Sequence, residues 1–205
     1  MWERGELSFA AADAYWQNEK KMAPLMEFFI ENPPPIAMTL PQGFELYKFS
    51  KYAGYTDNLS EFWSSTNKWH PSKVPGVSAR DAMVMTDIGL AARRERAKAM
   101  GSNLVDYARQ TSAVKKAWSD LKYIIKIKLA RAVPVIYGGI GFVQDDPEAY
   151  KKSSVSRESS LLSGTGFQFF IPDFKADDVE NRIFAGSNTI MGSDLGYLPY
   201  AGPGN

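Results

Sequence analysis

The chain has 205 residues, of which 44% are hydrophobic and 23% charged, as is ordinary for a globular domain with one sizeable core. Its net charge of +1 predicts no general attraction to nucleic acid or to a membrane surface. No apolar run approaches the roughly 18 residues of a membrane span. Cysteine is absent and His70 is the single histidine, which excludes disulfides, thiolate metal sites, cysteine nucleophiles and a histidine-rich zinc site.

The first 35 residues are predicted to form an N-terminal helical element. Ser8 is expected to cap a helix that runs to about residue 30, because apolar residues recur at near-helical spacing, and Pro24 should kink or split it. The stiff run at 33–35, three consecutive prolines, separates this element (1–35) from a main domain (36–205). No continuous apolar segment follows the charged N-terminus, so no secretory signal is expected there.

The main domain is predicted to begin with a strand and to continue with helices. Residues 43–50 alternate apolar and polar side chains, which indicates a strand, and residues 51–77 are predicted to form an aromatic-rich loop. Ser78 caps a helix that runs to about residue 100. Gly101 breaks this pattern, and a further helix is expected to end near residue 118.

The C-terminal half is predicted to be mostly β-structure. The expected features are strands at 123–133, 134–143, 167–171 and about 182–185, a bulge or bend at Gly138-Gly139, a polar loop at 144–163, and an irregular tail from 196. Helices, one strand, helices and then several strands predict an α+β domain built on a mostly antiparallel sheet.

A glycine-rich segment leads into the predicted strand that carries Gln168. In Ser163-Gly-Thr-Gly-Phe-Gln-Phe-Phe-Ile-Pro172, small residues precede one polar side chain, and three apolar residues follow it. Such a strand can hold a polar group in a cleft, beside backbone that a ligand can approach closely. Gln168 is therefore a candidate site residue.

Two further motifs combine a cation, hydroxyl groups and aromatic rings. Leu46-Tyr47-Lys48-Phe49 sets a lysine in the first strand of the main domain, and Phe62-Trp63-Ser64-Ser65-Thr66 follows it. A cation near a strand end can bind phosphate, and hydroxyls beside aromatic rings suit a nicotinamide or a ribose. A solvated strand lysine followed by an ordinary Ser/Thr loop is the alternative interpretation.

Taken in chain order, the motifs at 46–49, 62–66 and 163–172 resemble the ADP-ribosyltransferase superfamily, particularly its bacterial toxin and effector domains. That family has a basic residue in a Leu-Tyr-Arg-like strand, then an aromatic-Trp-Ser element, then a catalytic glutamate before a run such as Val-Leu-Ile-Pro. The resemblance spans roughly residues 44–172. It implies a split, mostly antiparallel two-sheet α+β core with N-terminal and intervening helices. It also implies that NAD binds as a substrate between the Lys48 strand and the Gln168 strand, with no metal.

The resemblance also implies roles for individual residues. The residues expected to contact NAD or brace its site are Tyr47, Lys48, Trp63, Ser64, Ser65 and Thr66. Gln168 occupies the catalytic position in place of glutamate, and Lys48 stands where arginine is usual. A carboxamide can make the hydrogen bond to the nicotinamide ribose but supplies no compensating charge, so Glu158 in the preceding loop is the expected substitute acid.

The activity that the resemblance implies is cleavage of the nicotinamide glycosidic bond and transfer of ADP-ribose to a macromolecular acceptor, a protein or an RNA. Such an enzyme needs restraint in the cell that makes it, so an immunity protein is an expected partner. A secreted or injected effector acting in the target-cell cytoplasm is the expected location, and no membrane partner is expected.

Two other functions stay open. The missing catalytic acid favours a non-catalytic interaction or structural module, such as a component of a phage or secretion apparatus. Between Asp87 and Arg131 the chain has eleven Lys and Arg residues against four acids. This basic stretch (93–131) would suit a nucleic-acid-binding domain.

Overall fold

The fold is built mainly on antiparallel strand pairs. The computed structural model describes residues 7–51, 61–63, 89–102, 104–121, 123–144 and 161–180. The strands are β1 (Ile36–Leu40), β2 (Glu45–Ser50), β3 (Phe62–Trp63), β4 (Tyr123–Lys128), β5 (Val133–Gly139), β6 (Val143–Gln144), β7 (Leu161–Leu162) and β8 (Phe167–Phe170). A four-stranded sheet has the order β1-β5-β8-β3, while β2 pairs with β4 and β6 with β7. Every one of these pairings is antiparallel, so the predicted α+β class with a mostly antiparallel sheet is confirmed for the described residues.

The main hydrophobic core lies between the four-stranded sheet and the β2–β4 pair. Tyr137 and Phe169 project from the four-stranded sheet into this core and meet Ile127 from β4. Because side chains alternate across a strand, Phe170 points to the opposite face, where it joins a second cluster. The four-stranded sheet therefore separates two apolar compartments.

The N-terminal helix α1 (Phe9–Lys20) covers the second face of the four-stranded sheet. Ser8 caps it as predicted, since its hydroxyl accepts a hydrogen bond from a backbone N–H of the first turn at 3.1 Å. The helix ends earlier than predicted, because Lys21 adopts a left-handed conformation (φ 56°) and Pro24 cannot continue a helix. A 3₁₀ turn at Leu25–Phe28 follows.

The N-terminal element packs directly on the sheet of the main domain. The ring of Trp16 meets that of Phe170 edge to face, with centroids 5.3 Å apart. Two backbone hydrogen bonds join the segment after α1 to the end of β5: the Ile30 N–H donates to the Gly139 carbonyl at 3.0 Å, and the Gly141 N–H donates to the Phe28 carbonyl at 3.1 Å. These contacts bring residues 28–30 next to the strand that precedes the glycine-rich segment.

Two helices precede β4 in the chain, and the second of them lies against the outer face of the β2–β4 pair. They are α2 (Gly89–Ala99) and α3 (Leu104–Thr111), and Gly101 separates them at φ 66°, as the sequence predicts. Ala108 of α3 packs in a cluster with Tyr47 of β2. The second helix is shorter than predicted, and the predicted start of the first, at Ser78, lies outside the described residues.

The glycine pair Gly138-Gly139 does not interrupt the strand, which corrects the prediction of a bulge or bend. Both residues lie in β5 and pair regularly with β8. A Cβ atom on Gly138 would lie 2.7 Å from a ring carbon of Phe29, and one on Gly139 would lie 2.7 Å from Cγ1 of Ile30. The glycines are needed here because the N-terminal segment lies against the strand.

Several predicted elements fall on residues that the structure does not describe: most of the loop at 51–77, the greater part of the loop at 144–163, the strand near 182–185 and the tail from 196. Within the described ranges, no helix has the length and apolar character needed to cross a membrane.

Candidate functional site

A tightly held glycine segment positions Gln168. Gly164 has φ +57°, and its N–H donates to the Gln110 carbonyl of α3 at 2.9 Å. The Gly166 N–H donates to the Thr111 carbonyl at 2.8 Å. A Cβ atom on Gly164 would lie 2.5 Å from the Ile140 carbonyl oxygen, and one on Gly166 would lie 2.8 Å from the Thr111 carbonyl oxygen. Small residues are therefore required at 164 and 166 because other segments of the chain lie against them, whereas the sequence predicts that a ligand approaches the backbone there.

The carboxamide of Gln168 is buried and anchored at one end. Gln168 is 8% exposed, and its Nε2 donates a hydrogen bond of 2.5 Å to the backbone carbonyl of Phe28. The other polar atom of the carboxamide, Oε1, is an acceptor, and none of the described residues donates a hydrogen bond to it. Gln168 lies on the same face of β8 as Phe170, on the side of the sheet that α1 covers.

An apolar cavity of about 290 Å³ opens beside Gln168. Its lining brings together aromatic side chains from three separate parts of the chain: Trp16, Phe28, Phe62 and Trp118. Ser112 and Gln168 contribute side-chain polar groups. Trp16 also has a buried indole N–H with no acceptor among the described residues. The cavity can therefore hold a planar group and offers few polar atoms to orient it.

A buried arginine joins the wall of the cavity to the glycine segment. Arg93 of α2 is 1% exposed, and its Nη1 donates to the hydroxyls of Thr111 at 3.2 Å and Ser112 at 3.1 Å. The same guanidinium lies against Gly166, where a Cβ atom would be 2.7 Å from Nη2. Arg93 thus holds residues 111–112 next to Gly166, and it is not among the residues that line the cavity.

Lys48 lies in the other compartment. Its Nζ is 5.9 Å from the ring centroid of Trp63, and that ring packs in the core between the sheets. Lys48 shares its face of β2 with Leu46, a member of the same core. Burial lowers the pKa of the Lys48 ammonium to about 8, because removal from water disfavours the charged form.

Tyr47 faces away from both Lys48 and Gln168. It is buried in the cluster between β2 and α3. Its pKa is raised, mainly by burial, and the nearby ammonium of Lys126 opposes the shift. The Lys126 ammonium also lies 5.8 Å from the centroid of the Tyr47 ring and pairs with Glu45. Tyr47 is therefore a packed strand residue on the helix side of the β2–β4 pair.

The predicted NAD residues are thus divided between compartments. Of the predicted residues that the structure describes, Lys48 and Trp63 meet in the inter-sheet core, Tyr47 faces α3, and only Gln168 borders the aromatic cavity. A group seated beside Gln168 is separated from the Lys48 ammonium by the four-stranded sheet. This geometry does not bring together the two residues between which the sequence predicts NAD.

The remaining predicted site residues are Ser64, Ser65, Thr66 and Glu158, and they lie outside the described residues, as does His70. The described part of the chain contains no cluster of three Asp, Glu or His side chains that could hold a metal ion.

Comparisons with known proteins add no relative. The chain matches no protein-family model, and no curated protein or solved structure is significantly similar to it.

Several cations of the basic stretch 93–131 make internal contacts. Arg109 is buried, and its Nη1 donates to the carbonyls of Val114 and Ser119 at 2.9 Å. Lys128 and Arg131 form ion pairs of 2.7 Å with carboxylates outside the stretch. Together with buried Arg93, these contacts reduce the number of cations that could meet a phosphate backbone.

The aromatic wall is the part of the site that sequence reasoning missed. The sequence analysis gives Trp16 and Phe28 no role in a site, and it places residue 118 only near the end of a helix. One signal was present: aromatic residues cluster in α1 and the turn after it, beyond what a short helix can bury by itself. Nothing in the spacing indicated that this cluster would meet Gln168.

Proposed function

We propose that the cavity beside Gln168 receives the nicotinamide end of NAD and that the chain cleaves the bond between nicotinamide and ribose. The observation that carries this proposal is the anchored carboxamide of Gln168 at the edge of an aromatic cavity. The resemblance to ADP-ribosyltransferases supplies the reaction, and the cavity supplies a place for its planar leaving group.

The chemistry suits the groups present. The pyridinium ring of NAD is planar and cationic, and aromatic faces attract such a ring. When the C1′–N1 bond breaks, its electron pair stays on nitrogen and nicotinamide leaves neutral, while positive charge moves to the ribose. The Gln168 Oε1, held in place by the Nε2 bond to Phe28, is a partial negative charge that can accept from a ribose hydroxyl and face the developing oxocarbenium. A nucleophile from the acceptor then bonds to C1′ and loses its proton.

The size of the cavity limits what it can hold. About 290 Å³ is at the small end of ligand pockets, so it takes one end of a dinucleotide and leaves the pyrophosphate and adenosine outside. On this proposal, Lys48 is not the cation that binds the phosphates.

Nicotinamide release from NAD tests the proposal, with Gln168→Leu removing both polar atoms of the carboxamide. This variant should release nicotinamide at least ~10-fold more slowly than the wild type, since one oriented acceptor is worth about that much or more. Gln17→Ala, on the exposed side of α1, is the matched control.

A wild-type chain that releases no nicotinamide, or a Gln168→Leu variant that releases it at the wild-type rate, contradicts the proposal. NAD labelled in its adenosine part distinguishes the acceptors. Label on protein or RNA supports transfer to a macromolecule, and free ADP-ribose shows transfer to water.

A non-catalytic interaction module is the second candidate, favoured by the exposed rim of the cavity. Met22 is 46% exposed and Trp118 53% exposed, and both line the cavity. Large apolar side chains exposed together mark interaction surfaces. This candidate is supported if NAD is not cleaved and an apolar fluorescent probe binds the wild type but not Trp118→Ala.

A further inference from the structure

Lys48 is a lysine set among apolar side chains. From β2, Lys48 faces the inter-sheet core together with Leu46. Directly opposite on β4 lies Ile125, and the ring of Trp63 in the four-stranded sheet has its centroid 5.9 Å from the Lys48 Nζ. The charged side chains Glu45 and Lys126 pair with each other on the opposite face of the β2–β4 pair.

Four other lysines of the described residues contact carboxylates. They are Lys20 with Glu61, Lys126 with Glu45, Lys128 with Glu180, and Lys175 with Asp173. The described residues supply no carboxylate partner for Lys48, and the one cause of its lowered pKa is burial. The face of Trp63 is a weaker partner for an ammonium than an ion pair with a carboxylate.

We propose that Lys48 is a nucleophilic amine that forms covalent imines with aldehydes at neutral pH. The side chain keeps part of its surface exposed, so a small carbonyl compound can approach it. Lysines set in apolar surroundings are the ones that form Schiff bases, because a larger fraction of their amine is unprotonated. This inference does not depend on NAD cleavage, which is assigned to the other side of the sheet.

The reaction balances without any further cofactor. The neutral Nζ attacks the aldehyde carbon, its electron pair forms the C–N bond, and the carbonyl oxygen takes up a proton. The resulting carbinolamine loses one water molecule and leaves the imine. Addition of cyanoborohydride in the experiment delivers hydride to the imine carbon and makes the bond permanent.

Site-resolved labelling tests the inference. The full chain is exposed briefly to limiting isotopic formaldehyde with cyanoborohydride over a range of pH, and each lysine is quantified by peptide mass spectrometry. At about pH 7.5 an amine of pKa about 8 is roughly a quarter neutral, while one of ordinary pKa is about a thousandth neutral. Allowing for restricted access, we expect Lys48 to be labelled at least ~10-fold faster than Lys128, an ion-paired lysine of the same sheet.

Two further measurements make the result specific to the folded site. Concentrated urea should abolish the difference between Lys48 and Lys128, since both amines then face water. Lys48→Arg, which keeps the charge but cannot form an imine, should remove the fast-labelled peptide. The inference is overturned if Lys48 is labelled no faster than Lys128 in the native chain. It is also overturned if the rate at Lys48 rises up to pH ~10 with no inflection near 8. Neither outcome bears on whether NAD is cleaved.

Discussion

Gly164 offers a direct test of how the glycine segment holds Gln168. Gly164 and Gly101 both have positive φ, +57° and +66°, but their surroundings differ. A Cβ atom on Gly101 would meet nothing within 4 Å, whereas one on Gly164 would meet two backbone carbonyl oxygens, one of them 2.5 Å away. The pair of substitutions Gly101→Ala and Gly164→Ala therefore separates the cost of the left-handed conformation from the cost of steric overlap.

The expected magnitudes follow from this difference. Gly101→Ala should lower the free energy of unfolding by about 1 kcal/mol, the cost of a left-handed alanine. Gly164→Ala should lower it by about 2–4 kcal/mol, since overlap with rigid backbone adds ~1–3 kcal/mol. For a chain of this size, the melting temperature should fall by about 2–4 °C for Gly101→Ala and roughly twice that or more for Gly164→Ala.

Urea unfolding followed by circular dichroism measures both values, and nicotinamide release measures the effect on the site. Gly164→Ala should also slow nicotinamide release under conditions where it remains folded, because Gln168 would shift with the strand. Gly101→Ala, far along the chain from Gln168, should not. Equal losses of stability in the two variants would refute the claim that close packing on residues 140–141 is what requires glycine at 164.

Substitutions at Lys48 and Asp178 test the charge arrangement. The pKa of Lys48 is lower in the folded chain than the ordinary value of 10.5, so the unfolded chain binds more protons between pH 8 and 10.5 and wild-type stability should rise with pH across that window. In urea unfolding, Lys48→Met should therefore be more stable than the wild type at pH 7, with an advantage that shrinks toward pH 10.5. Asp178 is fully buried and accepts a hydrogen bond of 2.7 Å from Arg131, so Asp178→Ala should cost about 2–4 kcal/mol. The exposed neighbour Asp177→Ala should be within about 0.5 kcal/mol of the wild type by the same measurement.

The fold class could be predicted from the sequence because it follows from local signals. The alternation in β2 and the apolar run of β8 indicate strands, and Ser8 and Gly101 mark the boundaries of helices. The early end of α1 was less accessible. Its apolar spacing continues past Lys20. Pro24 indicates a break, but the left-handed turn at Lys21, where the helix ends, has no signal in the sequence.

The arrangement of the site could be predicted only in part. The glycines before Gln168 indicate a close approach to the backbone, but the sequence does not show that the approaching groups are residues 110–111 and 140–141 of the chain itself. The sequence does not show which compartment each face of β2 and β8 borders, because this depends on strand pairings between residues distant in sequence. Lys48 and Gln168 therefore looked like partners along the chain, while the sheet separates them.

The side-chain amide signal of Gln168, followed by nuclear magnetic resonance during a titration with NAD, locates the ligand directly. Binding in the aromatic cavity should shift this signal and the indole signals of Trp16 and Trp118, with little change at Trp63. Shifts confined to Trp63 and the β2 strand, with the Gln168 amide unmoved, would place NAD on the other side of the sheet and contradict the proposed site.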